Sequence, residues 1–488
     1  MNKATQDQQK LMDIARRSMI SRGLDPDFSP SVLRELENIQ ACATDSKGEL
    51  PDLSSLMWCS IDNDDSMDLD QITYAEPLTS GQTKLLVGVA DVDALVKVGS
   101  EIDRHAMQNT TSVYTGVQIF PMLPEKLSTD LTSFSEGEAR IALVVDMTIS
   151  PSGDIVAAKV YRALARNHIK LAYDSVADWL EGKSAMALTI QAHAGLAEQL
   201  RLQDTLAQKL RKLRFKHGAL ELETIEPRAV IRDGMVVELK QERKNRAREL
   251  IEDFMIAANG VTARFLADRG YPTLRRVVRS PERWERIANL AMEFGEELPA
   301  APDSRALAMF LTKRKAADPL RFPDLSLVVI KLLGRGEYIL DEPGTEPFGH
   351  FGLAVRDYAH STAPNRRFPD LITHRLLKAA LQNVEPSYSL DQLRHLAAHC
   401  TTQEDAAEKV ERQVRKSAAA SLLASRIGQK FEGLVTGASS KGTWVRVFDP
   451  PVEGKLMQTS QTLDVGDSVR VKLLSVNIER GFIDFQQI

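Results

Sequence analysis

Three cysteines in 488 residues, Cys42, Cys59 and Cys400, form no CxxC pair and cannot all join in intramolecular disulfides. That excludes a disulfide framework and a cysteine zinc site, and the thiols read as reduced. No stretch approaches a membrane span, and Met1 to Asp7 hold no apolar signal region, so a cytosolic protein with no membrane partner is expected. Positive charge is not in excess. Lys and Arg number 62 against 67 Asp and Glu, for a net charge of −5, which does not advertise nucleic acid. Basic residues concentrated along one channel would still serve such a partner. Internal repeats and low-complexity tracts are missing too. What remains, 43% hydrophobic and 26% charged, is ordinary for a globular chain with a full core, and the length suggests about three domains.

Against that plain background, five aspartates fall within nine residues from Asp62 to Asp70. Like charges this close repel, so the stretch is costly to fold unless a cation sits among them. The alternation Asp68-Leu69-Asp70 puts two carboxylates on one face of an extended segment and Leu69 on the other. Asp62 returns to the same cluster if the residues between form a loop. Hard carboxylate oxygens in such a group suit magnesium or manganese. A solvated acidic loop is the other reading. A calcium EF-hand loop fails, because counting from Asp62 puts Met67 where Gly is needed and Thr73 where Glu is needed.

Apolar spacing marks two N-terminal helices: Leu11, Ile14, Ala15 and Met19 form one stripe, and Val32, Leu33, Leu36 and Ile39 form another after Ser29-Pro30. Ser46 to Leu53 is linker-like. Strands are expected at Leu85–Val92, Ile141–Ile149 and Val156–Arg162, with a turn at Pro151-Ser152-Gly153-Asp154. Helices are expected at Ala194–Leu213, Ala247–Asp268, Pro281–Phe294, Pro369–Ala380 and Leu390–Ala424. Short β segments broken by Gly437, Gly442, Pro450-Pro451, Gly454, Gly466 and Gly481 then suggest a small closed barrel. The fold class is therefore α+β and multidomain. It comprises a helical module over 1–50, helix-turn-helix-like in outline, a mixed α/β domain over 51–427, and a five-stranded OB-type barrel over 428–488.

Ile61-Asp62, five residues, then Asp68-Leu69-Asp70 resembles the signature of the ribonuclease II/R family, whose catalytic unit is the RNB domain. Further segments agree in order. These are Val89-Ala90-Asp91-Val92, Ser112-Val113-Tyr114, Pro121-Met122-Leu123-Pro124 with Leu127-Ser128, and Phe254 to Asn259. His350-Phe351-Gly352-Leu353-Ala354 and His360 to Leu371 with His374-Arg375 complete the likeness, which runs from about Trp58 to Leu423. Gly428 to Val435, Gly442 to Val447 and Val465 to Val471 resemble the RNA-binding barrel that closes many members.

The resemblance implies hydrolysis of single-stranded RNA from its 3′ end to nucleoside 5′-monophosphates, with magnesium (or manganese) as cofactor. Asp62, Asp68 and Asp70 match the family's first three acidic positions and would hold the metal, and Arg366 matches its catalytic arginine, whose planar fork suits phosphate. Arg367 is expected to bond Asp370 instead. Tyr114 matches an aromatic that stacks on the terminal nucleotide, the alternative being a half-buried strand tyrosine. Glu252 and Glu411 match acidic substrate contacts, although pairing with Arg248 and Arg415 would explain them equally. His350, His360 and His374 lack a zinc spacing and read as structural or RNA-adjacent.

In the barrel, Trp444 and Arg446 share a strand face, with Lys441, Lys455, Arg470 and Lys472 nearby, which favours RNA over a packing role. Two departures stand out. The family often carries two cold-shock barrels before the catalytic domain, where this chain has about fifty residues. Its fourth acidic residue is Gln71 here, a substrate-side position without charge. A catalytically weak RNA-binding protein is thus the second expectation, and a metal-dependent phosphodiesterase acting on short oligonucleotides or DNA the third.

Overall fold

The computed structural model describes residues 3–45, 48–79, 81–224, 227–232, 235–241, 244–345, 348–439, 442–457, 463 and 466–488. Ser46, Lys441 and Val465 of the sequence reading lie outside the described residues. Helix α1 (Lys3–Ser21) buries its expected stripe against the last long helix of the chain: Leu11 and Ile14 meet Ala418, while Ala15 and Met19 join Val410 and Val414. Helix α2 (Pro30–Glu37) starts where Ser29 accepts a hydrogen bond from the Val32 amide and Pro30 supplies a preset φ. Its Val32 enters the main core instead. The two helices therefore serve different parts of the body: each apolar stripe is completed by a distant segment.

The main sheet contains β1 (Cys59–Asp62), β2 (Gln71–Pro77) and β3 (Thr83–Ala90). After α3 (Glu101–Asn109) and the short hairpin of β4 (Val113–Tyr114) and β5 (Ile119–Phe120) come β6 (Ala139–Ile149), β7 (Ile155–Arg166) and β8 (Ile169–Ala172). Strand order is β7-β6-β3-β2-β1-β8, with β1 and β8 parallel and every other pair antiparallel. The three expected strands fall on β3, β6 and β7. Leu85, Leu86 and Val87 are all buried in succession, so both faces of the sheet are covered at its centre. In the β6–β7 turn Gly153 has φ +99°, and a Cβ there would lie 3.0 Å from the Lys209 carbonyl oxygen, so glycine is required on both counts.

Helices α4 (Tyr173–Leu180), α5 (Leu188–Gln191) and α6 (Leu196–Lys216) follow, then a hairpin of β9 (Pro227–Arg232) and β10 (Met235–Gln241). Central helix α7 (Arg246–Asp268) begins at an Asn245 cap and buries Leu250, Ile251, Phe254, Ala258, Val261 and Phe265, an i, i+3, i+4 stripe, in the core beneath the sheet. Strand β11 (Thr273–Val277) leads into a lobe of α8 (Trp284–Glu293), α9 (Ser304–Ala317) and α10 (Phe322–Leu333), with its own core around Trp284, Ile287, Phe310, Phe322 and Val329. Strand β12 (Glu337–Asp341) pairs antiparallel with β11, and α11 (Phe368–Gln382) and α12 (Leu390–Leu423) close the domain.

The C-terminal barrel consists of β13 (Lys430–Ser439), β14 (Gly442–Val447), β15 (Val452–Leu456), β16 (Ser468–Asn477) and β17 (Phe482–Gln487), closed in the order β13-β14-β15-β17-β16. Period-two alternation puts Val469, Val471 and Leu473 inside and Arg470 and Lys472 outside. Ala419, Ala420 and Leu423 of α12 and Leu239 of β10 belong to the same apolar cluster, so the barrel shares its core with the domain before it.

Candidate active site

The aspartate-rich loop leaves the end of β1 at Asp62 and re-enters the sheet at Gln71, the first residue of β2. Asp62 closes its own turn, accepting hydrogen bonds from the Asn63 amide and the Ser66 hydroxyl, each at 2.7 Å. Leu69 is buried, and its flanking carboxylates differ sharply in environment: Asp68 is partly exposed while Asp70 is 2% exposed. Three cations answer the repulsion. Lys170 of β8 donates to the carbonyls of Asp64 and Ser66 at 2.7 Å each, Arg248 of α7 donates to Asn63 Oδ1 at 2.7 Å, and Arg366 approaches Asp70. Lys170 arrives through the parallel β1–β8 pairing, so nothing near the loop in sequence announces it.

Asp70 accepts from the Asn365 amide at 2.9 Å and from Arg366 Nε at 3.2 Å, joining the acidic loop to a segment 296 positions later. Burial pushes its carboxyl up to about 7; Arg366 opposes the rise and Asp68 adds to it. The two neighbouring arginines divide as the sequence suggests. Arg367 turns inward to Asp370 at 2.7 Å, and Arg366 keeps 42% of its side chain exposed beside Asp70. Asp370 also accepts from the Ala363 amide at 2.8 Å, which holds the loop that presents Arg366.

Tyr114, 38% exposed, donates its hydroxyl to Asp68 Oδ2 at 3.0 Å, and its amide donates to Glu411 of α12 at 2.8 Å. Glu252 pairs with Lys244 at 2.9 Å. Asp68, Tyr114, Glu252 and Glu411 line one cavity of about 1680 Å³ that runs on past Arg211, Phe215 and Lys315. Its cations are largely matched by acids: Arg211 with Glu249 at 2.8 Å, and Lys315 with Glu221 at 2.9 Å and Glu223 at 2.6 Å. The three histidines make local hydrogen bonds, and His350 also lines the cavity. His360 Nδ1 and the Tyr338 hydroxyl share a hydrogen bond at 2.8 Å, His374 Nε2 donates to the Ser361 carbonyl at 2.7 Å, and His350 Nδ1 accepts from the Leu353 amide at 3.1 Å.

On the barrel, Trp444 and Arg446 do share the outward face of β14, and the Trp444 ring packs over Gly437. Arg446 does not meet solvent as expected. Its guanidinium forms a two-pronged ion pair with Asp324 of α10, at 2.7 and 2.8 Å, with side-chain exposures of 12% and 7%. Arg446 is thus engaged with the helical lobe, which supplies a carboxylate that no local pattern revealed.

Asp68 and Asp70 present hard oxygens of the type magnesium takes. That ion is commonly held by one or two carboxylates with water and substrate phosphates completing its shell. The donor set fits such an open site. Among the described residues no three acidic, His or Cys side chains are grouped so that they could hold a metal ion, so Asp62 is not brought together with Asp68 and Asp70 as a third ligand.

Residues 51–383 match the RNB domain family, and residues 429–488 match the RNase II-type exonuclease C-terminal S1 domain. Ribonuclease R of Escherichia coli (strain K12) is 31% identical over 481 residues, covering 91% of this chain and 58% of that protein. The chain thus spans somewhat over half the length of the curated relatives it matches first. Among solved structures, Mycoplasma genitalium RNase R in complex with ribose methylated single-stranded RNA has a TM-score of 0.87 at 23% identity, covering 98% of this chain and 78% of that one. Yeast Ssd1, described as a pseudonuclease, has a TM-score of 0.71 at 16% identity, covering 92% of this chain and 55% of that one. The shared fold therefore accommodates nucleases and a pseudonuclease alike, and individual residues must separate them.

Proposed function

This chain belongs to the RNB domain family, and from that premise we propose that it is a divalent-metal-dependent exoribonuclease acting 3′ to 5′ on single-stranded RNA and releasing nucleoside 5′-monophosphates. One observation carries the reading. Asp70, buried and short of compensating charge, meets Arg366 and the Asn365 amide two residues from Asp68, which lines a cavity of about 1680 Å³.

In this reading Asp68 and Asp70 would hold magnesium, with manganese as a substitute, and Asp62 would support them from the turn. The ion would lower the pKa of a bound water and neutralise phosphate charge. The chain's own residues supply the rest. Arg366, exposed on its outer side, offers N–H donors where negative charge grows on the scissile phosphate. Tyr114 stacks on the last base with its hydroxyl anchored at Asp68, a contact tolerant of sequence because every base has a π face. Glu252 and Glu411 border the path of the terminal ribose, and Gln71 contributes hydrogen bonding without charge. Trp444, with Lys455, Arg470 and Lys472, gives the barrel an RNA-facing surface, and Arg446 secures the barrel to the lobe. Free Cys42, Cys59 and Cys400 suit a reducing compartment, the cytoplasm.

The second reading, an RNB-type RNA-binding protein of little or no activity, draws on Gln71, which leaves the site one carboxylate short of the family pattern. A 5′-labelled single-stranded RNA incubated with magnesium and resolved on a gel separates the two. A ladder descending from the 3′ end supports the nuclease, and RNA that shifts in a native gel yet stays intact supports the binder. Release of internal fragments in place of a ladder would refute both.

A further inference from the structure

Nothing in the acidic loop determines by itself where Asp68 sits, since its carboxylate neighbours repel it. Its place is imposed from outside. Ser133, fully buried, uses one hydroxyl on both sides of Asp68: the Leu69 amide donates to Ser133 Oγ at 3.0 Å, and that hydroxyl donates to the Met67 carbonyl at 2.8 Å. The next residue continues the bracket, the Phe134 amide donating to the Leu69 carbonyl at 3.0 Å. The preceding residue reaches the other half of the site, since the Thr132 hydroxyl donates to Asn365 Oδ1, and Asn365 in turn gives its amide to Asp70.

We infer that Ser133 is a positioning residue that sets the spacing of Asp68 from Asp70. The segment Thr132-Ser133-Phe134 would act as a splint between the acidic loop and the arginine loop. The inference rests on the proposed reading of Asp68 and Asp70 as the cation-binding pair. Its physical content is specific. Without the hydroxyl, the Met67 carbonyl and Leu69 amide lose their shared partner, and Asp68 recoils from Asp70. A shift of about 1 Å in such a group costs roughly a hundredfold in rate, and loss of an outer-shell partner costs about ten- to a hundredfold in metal affinity. The Asp68 carboxylate, the Tyr114 ring and the cavity walls beyond them are left intact, so RNA affinity is spared.

The test compares wild type, Ser133→Ala and Ser417→Ala in the full chain. Ser417 is equally buried and accepts a hydrogen bond from Gln413 at 3.4 Å on α12, so its loss reports ordinary removal of a buried hydroxyl. Manganese affinity is read by electron paramagnetic resonance, RNA affinity by anisotropy in chelator, and kcat and KM on labelled RNA. Ser133→Ala should weaken manganese binding and lower kcat by about tenfold or more, with KM and RNA affinity within about twofold, while Ser417→Ala changes none of these. Manganese affinity and kcat both within about twofold of wild type would overturn the inference, as would a rise in KM alone. If wild type proves inert, the nuclease reading fails, and manganese affinity in Ser133→Ala still decides this one. Ser133→Cys, close in size, replaces the alanine variant should that fail to fold. Unfolding of both would also overturn the inference, making the hydroxyl a folding requirement.

Discussion

Replacing Arg446 by alanine separates two physical roles that differ in measurable size. The arginine pairs with Asp324 through two N–O contacts at 2.7 and 2.8 Å, and both side chains are almost out of solvent. Burial holds the Asp324 carboxyl above its usual range even with the guanidinium present, and Glu453 adds to the rise. Removing one member of such a pair leaves the other charge buried without compensation, which costs about 3 kcal/mol. That is over about a hundredfold in the equilibrium that seats the barrel against the lobe. A phosphate contact would behave otherwise. Each one lost from single-stranded RNA reduces the slope of log affinity against log salt by about 0.7 and costs little stability. We therefore expect Arg446→Ala to lower the denaturant midpoint of the barrel transition while leaving the salt slope unchanged. The double variant Arg446→Met with Asp324→Leu should recover most of the midpoint, because packed apolar residues replace a buried pair at little net cost. Denaturation and anisotropy titrations at four salt concentrations are sufficient. A slope shallower by about 0.7 with an unchanged midpoint would refute the clamp and restore Arg446 to the RNA surface.

Asp70→Asn preserves an acceptor for the Asn365 amide but removes the charge facing Arg366, so hydrolysis should fall by about a hundredfold or more with RNA affinity retained; near-normal turnover would sink the assignment. Gln71→Asp should lower the magnesium concentration needed for half-maximal rate, since a hard cation's affinity grows with ligand charge; an active wild type made slower by this change would show that glutamine belongs to a working form of the site. Acid should destabilise the fold through its histidines. Burial, with Arg276 nearby, pushes His350 down to about 4, and burial also lowers His360 and His374. A depressed histidine contributes stability above its unfolded pKa, near 6.5, and loses it as pH falls toward the folded value, because the unfolded chain binds the extra proton. His350→Asn keeps an acceptor for the Leu353 amide, so its melting temperature should decline less steeply than that of wild type between about pH 6.5 and 4; parallel curves would count against the shift.

Local regularities were open to reading from the sequence alone, because they repeat within the reach of a few residues. The stripes of α1 and α7, the strands β3, β6 and β7, and the alternating barrel all announce themselves by period. The aspartate cluster was legible for the same reason: Asp62, Asp68 and Asp70 lie within nine residues, and their repulsion demands a cation. Which cations answer is a tertiary matter. Lys170 reaches the loop through a parallel strand, Arg248 from the start of α7, and Arg366 from beyond α10. The fate of Arg446 makes the same point. Spacing placed it correctly on the face that carries Trp444, yet what that face meets is decided by where α10 sets Asp324. Ser133 gave no signal at all, because a hydroxyl matters here only through the two backbone groups it bridges, 64 and 66 positions away. Periodicity and charge density are properties of the chain, so the sequence determined them. The neutralising partner, the bracket and the clamp are properties of distance in space, which only folding assigns.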